Sequence, residues 1–274
     1  MHLLLHGRGN GVGALFFSNS PTFTYTDLPT SNLLPSLERD LLKAHQQAHG
    51  ILLKTGSLPA QPENVLAGSF SIGGARAKAV MRSDDGNHWI AKFNQPEDDI
   101  DRIRAEHANL EMARAIGLHV PEVGVVDTEM GSVLLVKRFD RIQPSSNPDL
   151  NPDLNSTSNP TTMMPLRLHY VSAIALISAE PEDKRLVSAR DLALFSYANI
   201  ASVIRKVSPY PQEDRHALFA QMVLNICVHN TDDHLKNFGF LEPQAQAANA
   251  PRDYLRYRPV LILLPKPPGN ITLA

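Results

Sequence analysis

The residues best suited to chemistry lie between Asn225 and Phe238, in the run Asn-Ile-Cys-Val-His-Asn-Thr-Asp-Asp-His-Leu-Lys-Asn-Phe. Asp232 and Asn237 stand at D-x-x-x-x-N spacing, which suits phosphoryl transfer. In that chemistry the carboxylate accepts the proton of an attacking hydroxyl, and the amide oxygen holds a Mg²⁺ bridging nucleotide phosphates. Lys236 could neutralise charge on the migrating group. A second chemistry is open, because His229, Asp232, Asp233 and His234 are all metal-ligating types that a hydrolase could use. No His-Glu-x-x-His or paired-cysteine spacing supports zinc. A solvated polar loop after a helix is the bland alternative. The preceding apolar pattern, Leu218, Phe219, Met222, Val223 and Ile226, is expected to bury against the core and anchor the loop.

A second candidate site is Ser69-Phe70-Ser71-Ile72-Gly73-Gly74-Ala75-Arg76-Ala77-Lys78. Adjacent glycines let a backbone approach a phosphate closely, and Lys78 adds a cation. Strand-like residues follow, then the turn Asp84-Asp85-Gly86-Asn87 and His88-Trp89-Ile90-Ala91-Lys92-Phe93, which together predict a β-hairpin. Asp99 to Ile116 predicts a helix with Ile100, Ile103, Leu110 and Ala113 on one face, closed by Gly117. Glu106, mid-helix, could pair with Lys92. Gly131 to Val136 reads as a buried strand running into Lys137-Arg138-Phe139-Asp140-Arg141.

The elements that must position these residues are legible by the same rules. Gly7, Gly9, Gly11 and Gly13 are turn glycines before a short buried strand, Ala14-Leu15-Phe16-Phe17; no helix pattern follows, so a nucleotide fingerprint fails on context. Leu33 to Gly50 predicts a surface helix. Pro144 to Thr162 is Pro/Asn/Ser-rich and carries a short duplication, as expected of a flexible loop insertion. Helices are expected at Leu168 to Ser178, Ser188 to Val207 and Glu213 to Val228.

With 43% hydrophobic and 20% charged residues, the 274-residue chain has a globular composition. Its net charge of −2 supplies no global field toward nucleic acid or membrane. No apolar run is long enough to span a bilayer, and the start lacks a basic signal region, so a cytoplasmic location is expected. The single cysteine, Cys227, is expected to be a buried structural thiol.

Taken together, Ser71 to Lys78, Ile90-Ala91-Lys92, Val136 to Arg141 and Asn230 to Phe238 resemble the HipA family of bacterial toxin serine/threonine kinases. The resemblance spans roughly Gly9 to Phe240. It implies an α+β, two-lobed protein-kinase-like fold with a strand-rich N-lobe and an incomplete helical C-lobe. The implied division is a partial N-terminal subdomain at 1–67, an N-lobe with glycine loop, lysine strand and hinge at 68–143, and the loop insertion at 144–162. A helical C-lobe with the catalytic loop would occupy 163–242, and an irregular tail 243–274. The resemblance further implies ATP and Mg²⁺ as cofactors. Gly73, Gly74, Ala75 and Lys78 would cover the phosphates, and Lys92 would bind them. Lys137, through its backbone, and Phe139 would flank adenine. Asp232 would be the catalytic acid/base with His234 and Lys236 beside it, Asn237 a metal ligand, and Ser71 a site of autophosphorylation. The implied partners are a helix-turn-helix antitoxin and a protein substrate, with no direct nucleic-acid contact by this chain.

Two departures bear on activity. The family's second metal aspartate would fall in Arg258-Pro259-Val260-Leu261-Ile262-Leu263-Leu264-Pro265, where Ile262 takes its place. The chain is also expected to be truncated at both ends relative to the family. An impaired kinase is therefore expected; the alternatives are an inactive nucleotide- or antitoxin-binding remnant and a small-molecule phosphotransferase.

Overall fold

The computed structural model describes residues 11–15, 22, 34–53, 76–96, 98–143, 165–178, 196–230, 233, 235–242 and 258–261. The chain divides into two units, one of Met1–His107 with Pro121–Arg167, the other of Ala108–Val120 with Leu168–Ala274.

The first unit is built on an antiparallel sheet of β1 (Lys78–Arg82), β2 (His88–Phe93), β3 (Val123–Thr128) and β4 (Gly131–Lys137), in the order β1-β2-β4-β3. The expected hairpin joins β1 to β2. Its turn closes where Ser83 N–H donates to Asn87 O (3.0 Å) and the Asp85 carboxylate accepts the Asn87 N–H (3.0 Å). Strand alternation then assigns the two faces. Ala79, Met81, Ala91, Phe93, Val133 and Leu135 form a core with Leu41, Ala44 and Ala48 of helix α1 (Leu37–Leu53). These helix positions recur at i, i+3, i+7, so the helix expected at the surface instead supplies part of the core. Ser36 caps it, its hydroxyl accepting the Arg39 N–H (3.3 Å) while Asp40 reaches back to the Ser36 N–H (2.8 Å).

Helix α2 (Arg102–Ala115) starts at Asp101, whose carboxylate accepts the Arg104 N–H (3.0 Å). It ends as expected at Gly117, which takes a left-handed φ of 85° while Leu118 N–H donates to Ala113 O (3.0 Å). Ile103, Leu110 and Ala113 are buried, whereas Ile100 precedes the helix and is exposed.

After β4 the chain enters a buried ionic cluster. Asp140 accepts from Arg138 (2.8 and 2.9 Å), Arg141 (2.9 Å) and the Gly13 N–H (2.6 Å). Arg138 and Arg141 also donate to Gly11 O, and Arg141 and Arg167 to Gly13 O. Of the segment expected as a buried strand, Ala14-Leu15-Phe16-Phe17, the described residues Ala14 and Leu15 are not in a strand. The preceding Gly11 and Gly13 carbonyls bond to arginine side chains, and Leu15 is exposed. Strands β5 (Arg141–Ile142) and β6 (Leu166–Arg167) pair beside this cluster.

The second unit has a sheet of β7 (Tyr170–Ser172), β8 (Phe238–Leu241) and β9 (Arg258–Leu261), in that order. It carries helices α3 (Ala173–Ser178), α4 (Tyr197–Val207) and α5 (Pro211–Cys227). Ala173, Ile200, Val203, Ile204, Leu218, Leu235, Phe238 and Phe240 form its core. The helix expected over Leu168 to Ser178 is a correction: Val171 pairs with Phe240 across the sheet, and only the last six residues coil. Sheet pairing of an aromatic and β-branched run overrides its helical spacing. Of the helix expected from Ser188, residues 197–207 form α4, and its earlier part lies outside the described residues. So does the 144–162 insertion. Four residues of the segment expected to be irregular form β9.

Helix α5 brings two further corrections. Its buried residues are Asp214, Leu218, Gln221, Leu224 and Asn225, while Phe219, Val223 and Ile226, expected as the anchoring face, are exposed. Cys227 is exposed too, rather than a buried thiol. From Ala217 to Cys227 the helix is apolar nearly all round, and the side carrying Gln221 and Asn225 turned inward. No helix among the described residues is long and apolar enough to cross a membrane.

Burial alone would raise the pKa of Asp140, but Arg138 and Arg141 outweigh it and hold the carboxyl at about 2, against an ordinary 3.8. A depressed folded pKa means that the stability it confers is present above 3.8 and lost as pH falls through about 2. Asp140→Asn should lower the unfolding free energy by about 3–5 kcal/mol at pH 7, since two buried guanidinium groups lose their carboxylate. In urea melts between pH 5 and 2, the gap between wild type and variant should narrow.

Candidate functional site

On the sheet face turned away from α1, Lys78 and Lys92 are direct cross-strand partners, beside Val80, Ile90, Leu134 and Val136. Two ammonium groups at such a position repel each other. The Lys92 Nζ answers with an ion pair to Glu106 Oε1 of α2 at 2.5 Å, both side chains mostly buried. This is the pairing anticipated from the sequence. Lys78 is lowered to about 8 by burial first and then by Lys92, with Glu106 acting the other way. The patch is a partly desolvated pair of cations on an apolar floor, an arrangement suited to an anion.

Arg76, at the entry to β1, is fixed by Asp98, which also pairs with Arg102 (3.1 Å) and accepts the Gln95 N–H (2.8 Å). The glycine segment itself, with Ser71, Gly73, Gly74 and Ala75, lies outside the described residues.

At the end of β4, Lys137 N–H donates to Glu122 O (2.9 Å) and Arg138 N–H to His88 O (2.8 Å). A nucleobase contact through the Lys137 backbone would therefore have to use its carbonyl. The Lys137 side chain reaches Glu122 (3.2 Å) and lies 6.0 Å from the Trp89 ring centre. Phe139 is half-buried.

In the second unit, α5 ends in a reversal around His229, whose φ is 51°. Asn230 N–H donates to Asn225 O (2.9 Å) and His229 N–H to Ile226 O (3.2 Å), the closure that usually calls for glycine at the left-handed position. The side chains continue the pattern: Asn230 Nδ2 donates to Asn225 Oδ1 (3.2 Å), Asn225 Nδ2 to the Tyr197 hydroxyl (3.1 Å), and that hydroxyl to Asp233 Oδ2 (2.5 Å). Leu235, Lys236 and Asn237 make one 3₁₀ turn that leads straight into β8, with Leu235 buried and Asn237 half-buried. Asp232, His234 and the Lys236 side chain lie outside the described residues. Tyr197 and Asn225 were not singled out from the sequence; the signal available was a polar stripe, Asp214, Gln221 and Asn225, within an apolar helix.

A family model for the HipA-like C-terminal domain matches residues 70–252, more than half of the chain. The chain belongs to the HipA-like family. Its α+β, kinase-like fold is the one expected of that family. Among solved structures, this HipA-like chain is similar to a chain of the Shewanella oneidensis MR-1 toxin-antitoxin system HipA, HipB and its operator DNA complex. That match has a TM-score of 0.56 at 16% identity and covers 93% of this chain and 55% of the other, so the chain spans about half the length of that relative. The Helicobacter pylori proinflammatory kinase CtkA aligns with a TM-score of 0.43 at 16% identity, over 67% of this chain and 52% of that one. No curated protein matches the sequence.

Two outcomes follow from the site's geometry. A lysine whose folded pKa is lowered holds its proton more weakly than in the unfolded chain, so stability should rise with pH above about 8 and level off near 10.5. In urea melts at pH 8 and 9.5, wild type should gain about 2 kcal/mol relative to Lys78→Met, which has no such titration. His229→Gly should raise stability by about 1 kcal/mol by relieving the left-handed backbone, read as a higher urea midpoint.

Proposed function

We propose that this protein is a HipA-like toxin kinase, built to pass the ATP γ-phosphate to a serine or threonine hydroxyl of a protein, with the transfer step weakened in this chain. The observation that carries the reading is the Lys92–Glu106 ion pair beside Lys78. A lysine pinned by a helix glutamate is held at a defined place on the sheet, ready for phosphate oxygens. Gly73, Gly74, Ala75 and Lys78 would cover the phosphates and Lys92 bind them, while the Lys137 carbonyl and Phe139 meet the base. Asp232 would take the proton of the attacking hydroxyl, with His234 and Lys236 beside it. Ser71, in the glycine segment, would be the chain's own phosphorylation site.

The metal is a different matter. Asn237 offers one amide oxygen, but across the β8–β9 ladder Phe238 pairs with Leu261, and the next residue is Ile262. Among the described residues no three His, Cys, Asp or Glu side chains cluster as metal ligands. With Ile262 at the second position, the sequence offers Asn237 alone of the two ligands that the resemblance implies, so no step is routed through a metal.

The Shewanella complex contains HipB and operator DNA. By analogy, a helix-turn-helix antitoxin is the partner proposed here. A net charge of −2 favours leaving operator contact to that partner.

The test is intact mass before and after incubation with Mg²⁺ and ATP, for wild type, Asp232→Ala and Ile262→Asp, alongside calorimetric ATP binding. Wild type should bind ATP and gain phosphate slowly. Ile262→Asp should react at least about tenfold faster, equivalent to ~1.4 kcal/mol of transition-state stabilisation, and Asp232→Ala should gain none. Wild type reacting as fast as Ile262→Asp would overturn the impairment. Folded protein that binds no ATP would overturn the reading itself.

A further inference from the structure

The run Thr231-Asp232-Asp233-His234 contains adjacent carboxylates, and spacing alone does not distinguish the anchor from the base. The hydrogen bonds around it do. Each donor points one way: Asn230 amide to Asn225 oxygen, Asn225 amide to Tyr197 hydroxyl, Tyr197 hydroxyl to Asp233 carboxylate. Asn225 has 4% exposure, and it uses its backbone carbonyl, its side-chain carbonyl and its side-chain amide in this one construction. The Tyr197 ring is locked separately by an edge-to-face contact with Phe238, centres 5.5 Å apart, and by its place in the core around Ile200 and Leu235. Burial and the Asp233 carboxylate push the Tyr197 hydroxyl above its ordinary pKa, so it stays a donor across the working pH range.

We propose that Tyr197 and Asn225 are positioning residues that clamp the catalytic turn through Asp233 and Asn230, making Asp233 the anchor and leaving Asp232 as the base. The turn is then pinned at Asn230 by Asn225, at Asp233 by Tyr197, and at Leu235 by burial. Pre-organisation of this kind acts on the transfer step rather than on nucleotide affinity, because none of the clamp residues is in the unit that carries Lys78 and Lys92. The kinetic half of the proposal rests on the kinase reading; the structural half does not.

Tyr197→Phe keeps the ring and its contact with Phe238 and removes only the hydroxyl. Asp233→Ala removes the other partner. Hydrogen exchange of peptides covering 228–238 should speed up at least about tenfold in each single variant, with α4 peptides covering 200–207 unchanged. The double variant should exchange no faster than the faster single one, because both remove the same bond. Phosphate transfer should show a lower kcat with an unchanged KM for ATP. Unchanged exchange in 228–238 in Tyr197→Phe, or additive effects in the double variant, would overturn the clamp whether or not the protein transfers phosphate. A raised KM at constant kcat would overturn the positioning role. Absence of transfer in wild type would count against the kinase reading alone, since the exchange measurement still decides the clamp.

Discussion

A buried charge or amide without a partner costs several kcal/mol, and both units arrange their functional segments around that constraint. In the first, Asp140 is almost wholly buried and stays ionised only because Arg138, Arg141 and the Gly13 N–H converge on it. The same arginines then have donors left for the Gly11 and Gly13 carbonyls. One carboxylate thus fixes the exit of β4 and the path of an amino-terminal segment more than a hundred residues away in sequence. In the second, Asn225 plays the corresponding part with neutral groups. It accepts from Asn230 and donates to Tyr197, so the end of α5 and the start of the acidic turn cannot move independently. Buried polar networks of this kind are stable only when complete, which is why they specify geometry so strongly.

The lysine patch works against stability rather than for it. Like charges directly opposite in an antiparallel pair are unfavourable, and burial has already lowered Lys78 to about 8. Hydrocarbon at position 78 would suit the local sheet better. A fold that keeps two cations there, with Glu106 of a helix ion-paired to Lys92, carries a local conflict of the sort found at functional sites. The left-handed His229 is a second such place. Gly117 closes α2 with the same hydrogen-bond pattern and no side-chain penalty, so the strain at His229 is not imposed by the motif. It sits at the mouth of the acidic turn, where strained backbone is most often found.

Much of this was legible in the sequence where the signal is local. The β1–β2 hairpin, the end of α2 at Gly117 and the buried β4 follow from turn residues and alternation within a few positions. The Lys92–Glu106 pair is one of two readings the sequence leaves open, the other an exposed glutamate, and the order of hairpin and helix is what brings it to notice. What failed was phase and long-range pairing. The later turns of helix α5 are apolar on so many sides that hydrophobicity could not say which face is inward, and the polar residues Gln221 and Asn225 mark the buried one. The exposed Cys227 is part of the same error. Tyr170 to Ser172 looked helical until a partner in β8, about 70 residues later, claimed it as a strand. Tyr197 and Asp233 are 36 residues apart, and nothing in either neighbourhood announces the other.

The end of β8 ties these threads together. Phe238 and Phe240 point into the core and stand opposite Leu261 and Pro259 in the strand register, so the turn carrying Asn237 runs straight into a paired strand. By the resemblance, a second metal carboxylate would fall one residue beyond that register, where the sequence has Ile262, a side chain unable to ligate a cation. The Lys78–Lys92 patch and the hydrogen bonds that hold the acidic turn rest on separate networks, in separate units. Each network is enforced by buried or half-buried, coupled side chains, Lys92 with Glu106 in one unit and Asn225 with Tyr197 and Asn230 in the other, so a substitution in one is expected to leave the geometry of the other standing.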